Sequence, residues 1–147
     1  MMTPDQTLET AAADTVLPVY QFPNGLPGFE QLKAYRVEEH NELFSLLSAI
    51  DQPEVSFITI DPFHLRPDYE FILSDEVIQL LEIDNREQVS VRCIVTWHSD
   101  REKTTVNLLA PLVLNTEKRM AKQVVLHDTA YTTRHFLWTN TEESGER

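Results

Sequence analysis

Short runs of alternating apolar and polar residues follow one another along this chain, each closed by a turn signal. Positions 16–22 open the series and stop at Pro23-Asn24-Gly25 and Pro27-Gly28, where glycine can take φ > 0 and proline fixes φ. Positions 34–38 and 43–49 follow, separated by the polar stretch 39–42. Positions 55–60 are rich in β-branched residues and end at Asp61-Pro62. In 69–74, Tyr69, Phe71 and Leu73 occupy one phase and Glu70 and Ser74 the other, which predicts another strand. The clearest run is 89–97: Val89, Val91, Cys93, Val95 and Trp97 share one face, and Ile94 alone breaks the pattern. That period of two is what a half-buried antiparallel strand requires. In 104–114, Val106, Leu108, Ala110, Leu112 and Leu114 are in phase, but Pro111 cannot donate to a ladder, so an edge, bulge or break is expected there. Positions 123–126 and 133–138 complete the strands.

One helix is predicted. Ser74 or Asp75 can cap it, Asp75 and Glu76 suit the positive end of its dipole, and Val77, Ile78 and Leu81 fall on one face. It should end near Glu82, because Asp84-Asn85 reads as a turn. Short strands, frequent turns and one short helix predict an all-β, single-domain antiparallel β-barrel or sandwich of about eight strands. The domain is expected to span 16–138, between a flexible N-terminal leader (1–15) and a flexible C-terminal tail (139–147).

Composition narrows the function. The chain has 147 residues, enough for one domain with a real core, and 41% of them are hydrophobic. No apolar run approaches the about 18 residues needed to span a bilayer, and the first residues lack the basic and apolar regions of a secretion signal. Cys93 is the only cysteine, so no internal disulfide or thiolate metal cluster can form. The expectation is a cytoplasmic monomer that neither enters a membrane nor binds nucleic acid directly. Charge is uneven: positions 38–87 carry 13 acids and 2 bases, a net of −11, whereas 88–137 carry 4 acids and 7 bases, a net of +3. Phosphate binding needs a basic face, so an acidic half points instead to a basic protein partner or to a well-solvated surface.

Catalytic chemistry finds no support. His40, His64, His98, His127 and His135 form no metal-binding pair of standard spacing, and no metal or other cofactor is expected. Cys93 lies in phase with valines and reads as a small buried apolar residue. There is no G-x-S-x-G elbow, and the glycines at 25 and 28 lack the lysine and helix of a phosphate loop.

What stands out is a series of polar and proline-containing clusters at strand ends. In order they are 22–30 (F-x-x-G-x-x-G-F-E), Asp61-Pro62, Pro67-Asp68-Tyr69, 107–115 (N-L-x-A-P-x-x-x-N), and 123–126 (Q-V-x-L) followed by Tyr131-Thr132-Thr133-Arg134. Each has a structural reading: Asp61 and Asp68 can form Asx turns beside proline, and Asn107 and Asn115 can satisfy backbone groups around Pro111. Taken together, their order and spacing resemble the FliW family of flagellar assembly factors across about residues 16–138. Two departures are visible. The first fifteen residues have no matching counterpart, and Ala121 stands in a stretch where a glycine is expected, which questions a tight φ > 0 turn.

The resemblance implies a non-catalytic protein that binds flagellin and the RNA-binding translational regulator CsrA, coupling flagellin synthesis to assembly. The acidic centre adds a physical reason: it suits a basic, RNA-binding partner and would repel phosphates beside it. Asp61, Pro62, Pro67, Asp68 and Tyr69, supported by Glu70, Asp75 and Glu76, are the candidate partner-binding residues, since they join strand-end placement to the acidic zone. Tyr69 is either an aromatic anchor or, from its phase with Phe71 and Leu73, a core residue. Asn107, Asn115 and Arg134 match the family pattern and either bind partners or hold the barrel together. Two other functions fit less of the chain: a small ligand-binding β-barrel and an acidic nucleic-acid mimic.

Overall fold

The computed structural model describes residues 17–138. The described strands are β1 (Val19–Gln21), β2 (Ala34–Glu39), β3 (Phe44–Ala49), β4 (Ser56–Ile60), β5 (Val89–Thr96), β6 (Thr105–Val106), β7 (Leu112–Asn115), β8 (Met120–Gln123) and β9 (His135–Phe136). β1 to β4 form an antiparallel meander whose registers include Tyr20↔Tyr35, Val37↔Leu47 and Leu47↔Phe57. β4 then pairs with β5 through Ile60↔Cys93, β5 with β7 through Val91↔Val113, and β7 with β8 through Leu114↔Ala121. A parallel bridge, Gln21↔Met120, returns β8 to β1. Seven strands therefore close on themselves, which removes the exposed edges an open sheet would carry. β6 pairs with the far end of β5, and β9 with β6, as an extension outside the ring.

Cross-strand partners share a face, so the registers define the barrel interior. Tyr20, Tyr35, Val37, Leu47, Ala49, Leu112, Leu114 and Ala121 fill it, joined by Phe22 and Leu26 from the turn after β1 and by Phe57 and Ile94. Phe22 meets Tyr35 edge-on at 5.2 Å between ring centroids. Ile94, the residue out of phase in the sequence, packs in this cluster, while Cys93 and Val95 on the opposite face of β5 pack in a second. β5 is thus covered on both faces. Trp97 corrects the sequence expectation: it lies beyond the end of β5 and is exposed.

The outer face of β5 is covered by the segment that leaves β4. Helix α1 (Pro62–Leu65) starts it, with Asp61 as N-cap accepting from the Phe63 amide at 2.9 Å and proline in the first turn, where no amide is needed. Helix α2 (Asp75–Leu80) ends it, capped by the Ser74 hydroxyl, which accepts from Val77 N at 3.2 Å. Val77 and Leu81 pack on Val113 of β7.

Four expectations need correction. Among the described residues the α-helical segments are two, since α1 is too short to show a helical period in sequence. Residues 69–74 form no ladder; their alternation records which side chains point into the core, and an extended chain shows that period whether or not it is paired. The eighth strand runs from Met120 to Gln123, earlier than 123–126. The left-handed turn residue before it is Arg119, at φ 58°, so Ala121 is spared that role and lies fully buried in β8. The break expected at Pro111 is present: it separates β6 from β7, and the proline's carbonyl accepts from Val124 N at 2.8 Å.

Candidate functional site

Eight of the eleven candidate residues lie on the α1–α2 cover, between Asp61 and Glu76. Asp61 caps α1 and its carboxylate lies 4.0 Å from Arg92, whose other guanidinium nitrogen donates to Glu39 at 3.1 Å. Arg92 is the register partner of Leu112, so it occupies the lumen face of β5 and ties the ends of β2 and β4 together. Pro62 is buried in the first turn of α1. Pro67 and Asp68 are exposed in a turn closed by the Tyr69 amide donating to Arg66 O at 2.9 Å.

Tyr69 is 2% exposed and takes the core role. Its hydroxyl donates to the Leu108 carbonyl at 2.7 Å, and its ring packs on Tyr131 with centroids 4.6 Å apart. Burial, with Cys93 and Tyr131 adding to it, raises the phenol well above its ordinary pKa. Burial also pushes the neighbouring Cys93 thiol up to about 12, so it is protonated and unreactive near neutrality. Glu70 faces solvent while its amide donates to Tyr131 Oη at 3.3 Å, and Asp75 and Glu76 are exposed in the first turn of α2.

The remaining three candidates lie apart. The Asn107 side-chain Oδ1 accepts from the amides of Leu109 and Ala110 at 3.1 and 2.9 Å, shaping the turn that leads to Pro111. Asn115 is fully buried; its amide donates to the carbonyls of Leu81 and Glu82 at 2.8 and 3.1 Å and its oxygen accepts from Glu117 N and Lys118 N. It fastens the end of α2 to the β7–β8 turn. Arg134 is exposed in the loop before β9.

The cover is strongly acidic. Residues 61–87 carry eight acids and two bases. Among the described residues only Asp61 and Glu82 of these acids form ion pairs, with Arg92 and Lys118 respectively. Asp68, Glu70, Asp75, Glu76, Asp84 and Glu87 are exposed and leave an uncompensated negative field over this face. Open grooves of about 850 and 860 Å³ flank the extended stretch at 70–74.

Two residues of this region escaped the sequence reading. Arg92 was visible as a charge inside an apolar run, which in a strand covered on both faces must find partners. Ile72 was visible as an apolar residue in the polar phase of 69–74, and it is 92% exposed. Among the described residues, no cluster of His, Cys, Asp and Glu could hold a metal ion, and no helix is long and apolar enough to cross a membrane.

Comparison with known proteins agrees with this architecture. The family model described as FliW protein matches residues 5–137, so it also covers part of the stretch that the sequence motifs left unmatched. The flagellar assembly factor FliW of Caldicellulosiruptor saccharolyticus is 41% identical over 120 residues, which cover 81% of this chain and 79% of that protein. The Bacillus subtilis protein of the same name is 41% identical over 116 residues, covering 78% and 81%. A crystal structure of the flagellar assembly factor FliW superposes with a TM-score of 0.79 at 34% identity, covering 83% of this chain and 86% of that one. By family match, relatives and fold together, this chain belongs to the FliW family of flagellar assembly factors.

Proposed function

We infer that this chain is a non-catalytic, cytoplasmic assembly factor that binds flagellin and, when flagellin is scarce, a CsrA-type RNA-binding translational regulator. Sequestering that regulator would release flagellin synthesis, and accumulating flagellin would draw the chain back off the regulator. The acidic cover carries the reading. A regulator that binds RNA must present a basic surface, and residues 61–87 offer eight acids of which only two are ion-paired among the described residues. Docked beside an RNA site, Asp68, Glu70, Asp75 and Glu76 would repel phosphates without occupying the site. The small-ligand reading is disfavoured because Phe22, Tyr35, Leu47 and Leu112 fill the barrel interior.

Affinity for purified CsrA-type regulator, measured by calorimetry across a salt series, tests the electrostatic part. Between about 0.1 and about 1 M salt the screening length falls from about 10 to about 3 Å. Binding is expected to weaken steeply over that range, and to weaken further in a Glu70→Lys, Glu76→Lys double variant. Affinity that is flat in salt and indifferent to the charge reversal would overturn this assignment.

A further inference from the structure

The chain from Glu70 to Ser74 is extended but belongs to no ladder. Exposure alternates along it, with Phe71 and Leu73 turned inward and Glu70, Ile72 and Ser74 turned to solvent. The amides of Phe71, Ile72 and Leu73 make no hydrogen bond with any described residue. An extended run whose amides find no partner among the described residues is a template for another strand. Ile72, at 92%, is the most exposed large apolar side chain among the described residues. Covering it would be favourable for any partner that brings an apolar group.

Beside this stretch runs the groove of about 850 Å³ that separates it from residues 122–129. Val125, 56% exposed, supplies a second apolar contact there. The groove is also lined by Glu70, Glu76 and Asp128 against Lys122 alone, a net of −2. The groove on the other side is less acidic, with Glu70 and Asp84 against Arg86. Charge complementarity therefore selects the first groove and gives the guest its sign.

We propose that this groove is a strand-addition site: an extended segment of a partner protein, with apolar and basic residues two apart on its solvent-facing side, pairs with the backbone of residues 70–73. Its apolar side chains lie on Ile72 and Val125, and its Lys or Arg side chains reach Glu70, Glu76 and Asp128. The site rests on the reading that this chain works by protein binding and adds the mode of recognition. Main-chain pairing supplies affinity, while side-chain pockets and charge select the sequence.

Residue-resolved amide exchange on the full chain, alone and with flagellin or the CsrA-type regulator added in turn, tests the site. Because successive amides of an extended chain point to opposite edges, slowed exchange is expected at alternate positions, at Phe71 and Leu73 or at Ile72, with one of the two partners. Ile72→Lys, at a position too exposed to disturb folding, should weaken that partner about tenfold or more. Binding with no protection at these amides and no effect of Ile72→Lys overturns the site and leaves the proposed function standing. Failure of both proteins to bind overturns the proposed function, and this site with it. Amides already protected in the free chain also overturn it. Protection that rises with concentration assigns the groove to a second copy, and protection lost on deleting residues 1–16 assigns it to the chain's own terminus.

Discussion

The hydroxyl of Tyr69 donates a 2.7 Å hydrogen bond to the carbonyl of Leu108, across 39 residues of sequence. It fixes the acidic cover to the turn between β6 and β7. Tyr35 is the contrast: it is fully buried in the barrel, and its hydroxyl has no partner among the described residues. Tyr69→Phe should therefore destabilise the chain by about 1–2 kcal/mol, since a buried carbonyl loses its donor. Tyr35→Phe should be neutral or stabilising by up to about 1 kcal/mol, because it removes an unsatisfied polar atom. Urea denaturation of both variants decides the matter; equal losses would contradict the difference in partners.

Asn115 makes a sharper case. Replacing it by alanine strands the carbonyls of Leu81 and Glu82 and the amides of Glu117 and Lys118, all of which now pair with one side chain. The expected cost is about 2–4 kcal/mol, near the upper range for single substitutions. Asn115→Asp keeps the acceptor but loses the donor and buries a charge, so it should fare no better. Thermal unfolding with an amide-exchange map would show the damage first at the end of α2. A variant as stable as the parent would show that the clamp adds nothing.

Much of this was legible in sequence, for reasons that vary by element. β2, β3, β4 and β5 were legible because period two and turn residues act locally. α2 was legible because Ser74, Asp75 and Glu76 cap it within one turn. An interruption between β6 and β7 was legible from Pro111, as an edge, a bulge or a break. What could not be read was pairing. Residues 69–74 carry a strand's alternation, yet only Tyr69, Phe71 and Leu73 turn inward and the backbone joins no ladder, which is a tertiary fact. The split of β5 between two cores likewise depends on what covers its outer face. For the candidate site, composition exposed the acidic zone, but the burial of Tyr69 and Asn115 and the isolation of Ile72 follow from long-range packing.

The turn after β1 separates two costs of adding a side chain to glycine. Gly25 has φ 66°, and a Cβ there would lie 2.6 Å from the Glu30 carbonyl oxygen and 2.7 Å from its Cα. Gly28 has φ 86° but open space around the added atom. Gly28→Ala should cost about 1–2 kcal/mol from backbone strain alone, whereas Gly25→Ala adds a backbone clash and should cost about 3 kcal/mol or more. Chemical denaturation should rank them in that order. Equal effects would mean that residues 26–30 yield freely to the added methyl.

His135 sets an acid limit on the β6–β9 extension. Its Nε2 accepts from the Thr132 amide at 2.9 Å, and the residue pairs with Val106. Burial, with the charge of Arg66 second, holds its pKa below the ordinary value of 6.5. The unfolded chain therefore binds this proton more readily than the folded one. Stability from the neutral ring is fully present above about pH 6.5 and is lost as pH falls through the lower folded value. Protonation also removes the acceptor that Thr132 uses. His135→Gln keeps a polar side chain but cannot titrate, and acidic groups shared by both chains cancel in the comparison. The melting temperature of the parent should thus fall faster than that of the variant as pH drops below about 6.5, with the two curves parallel above it. Superimposable acid limbs would show that the ring's protonation is not coupled to folding.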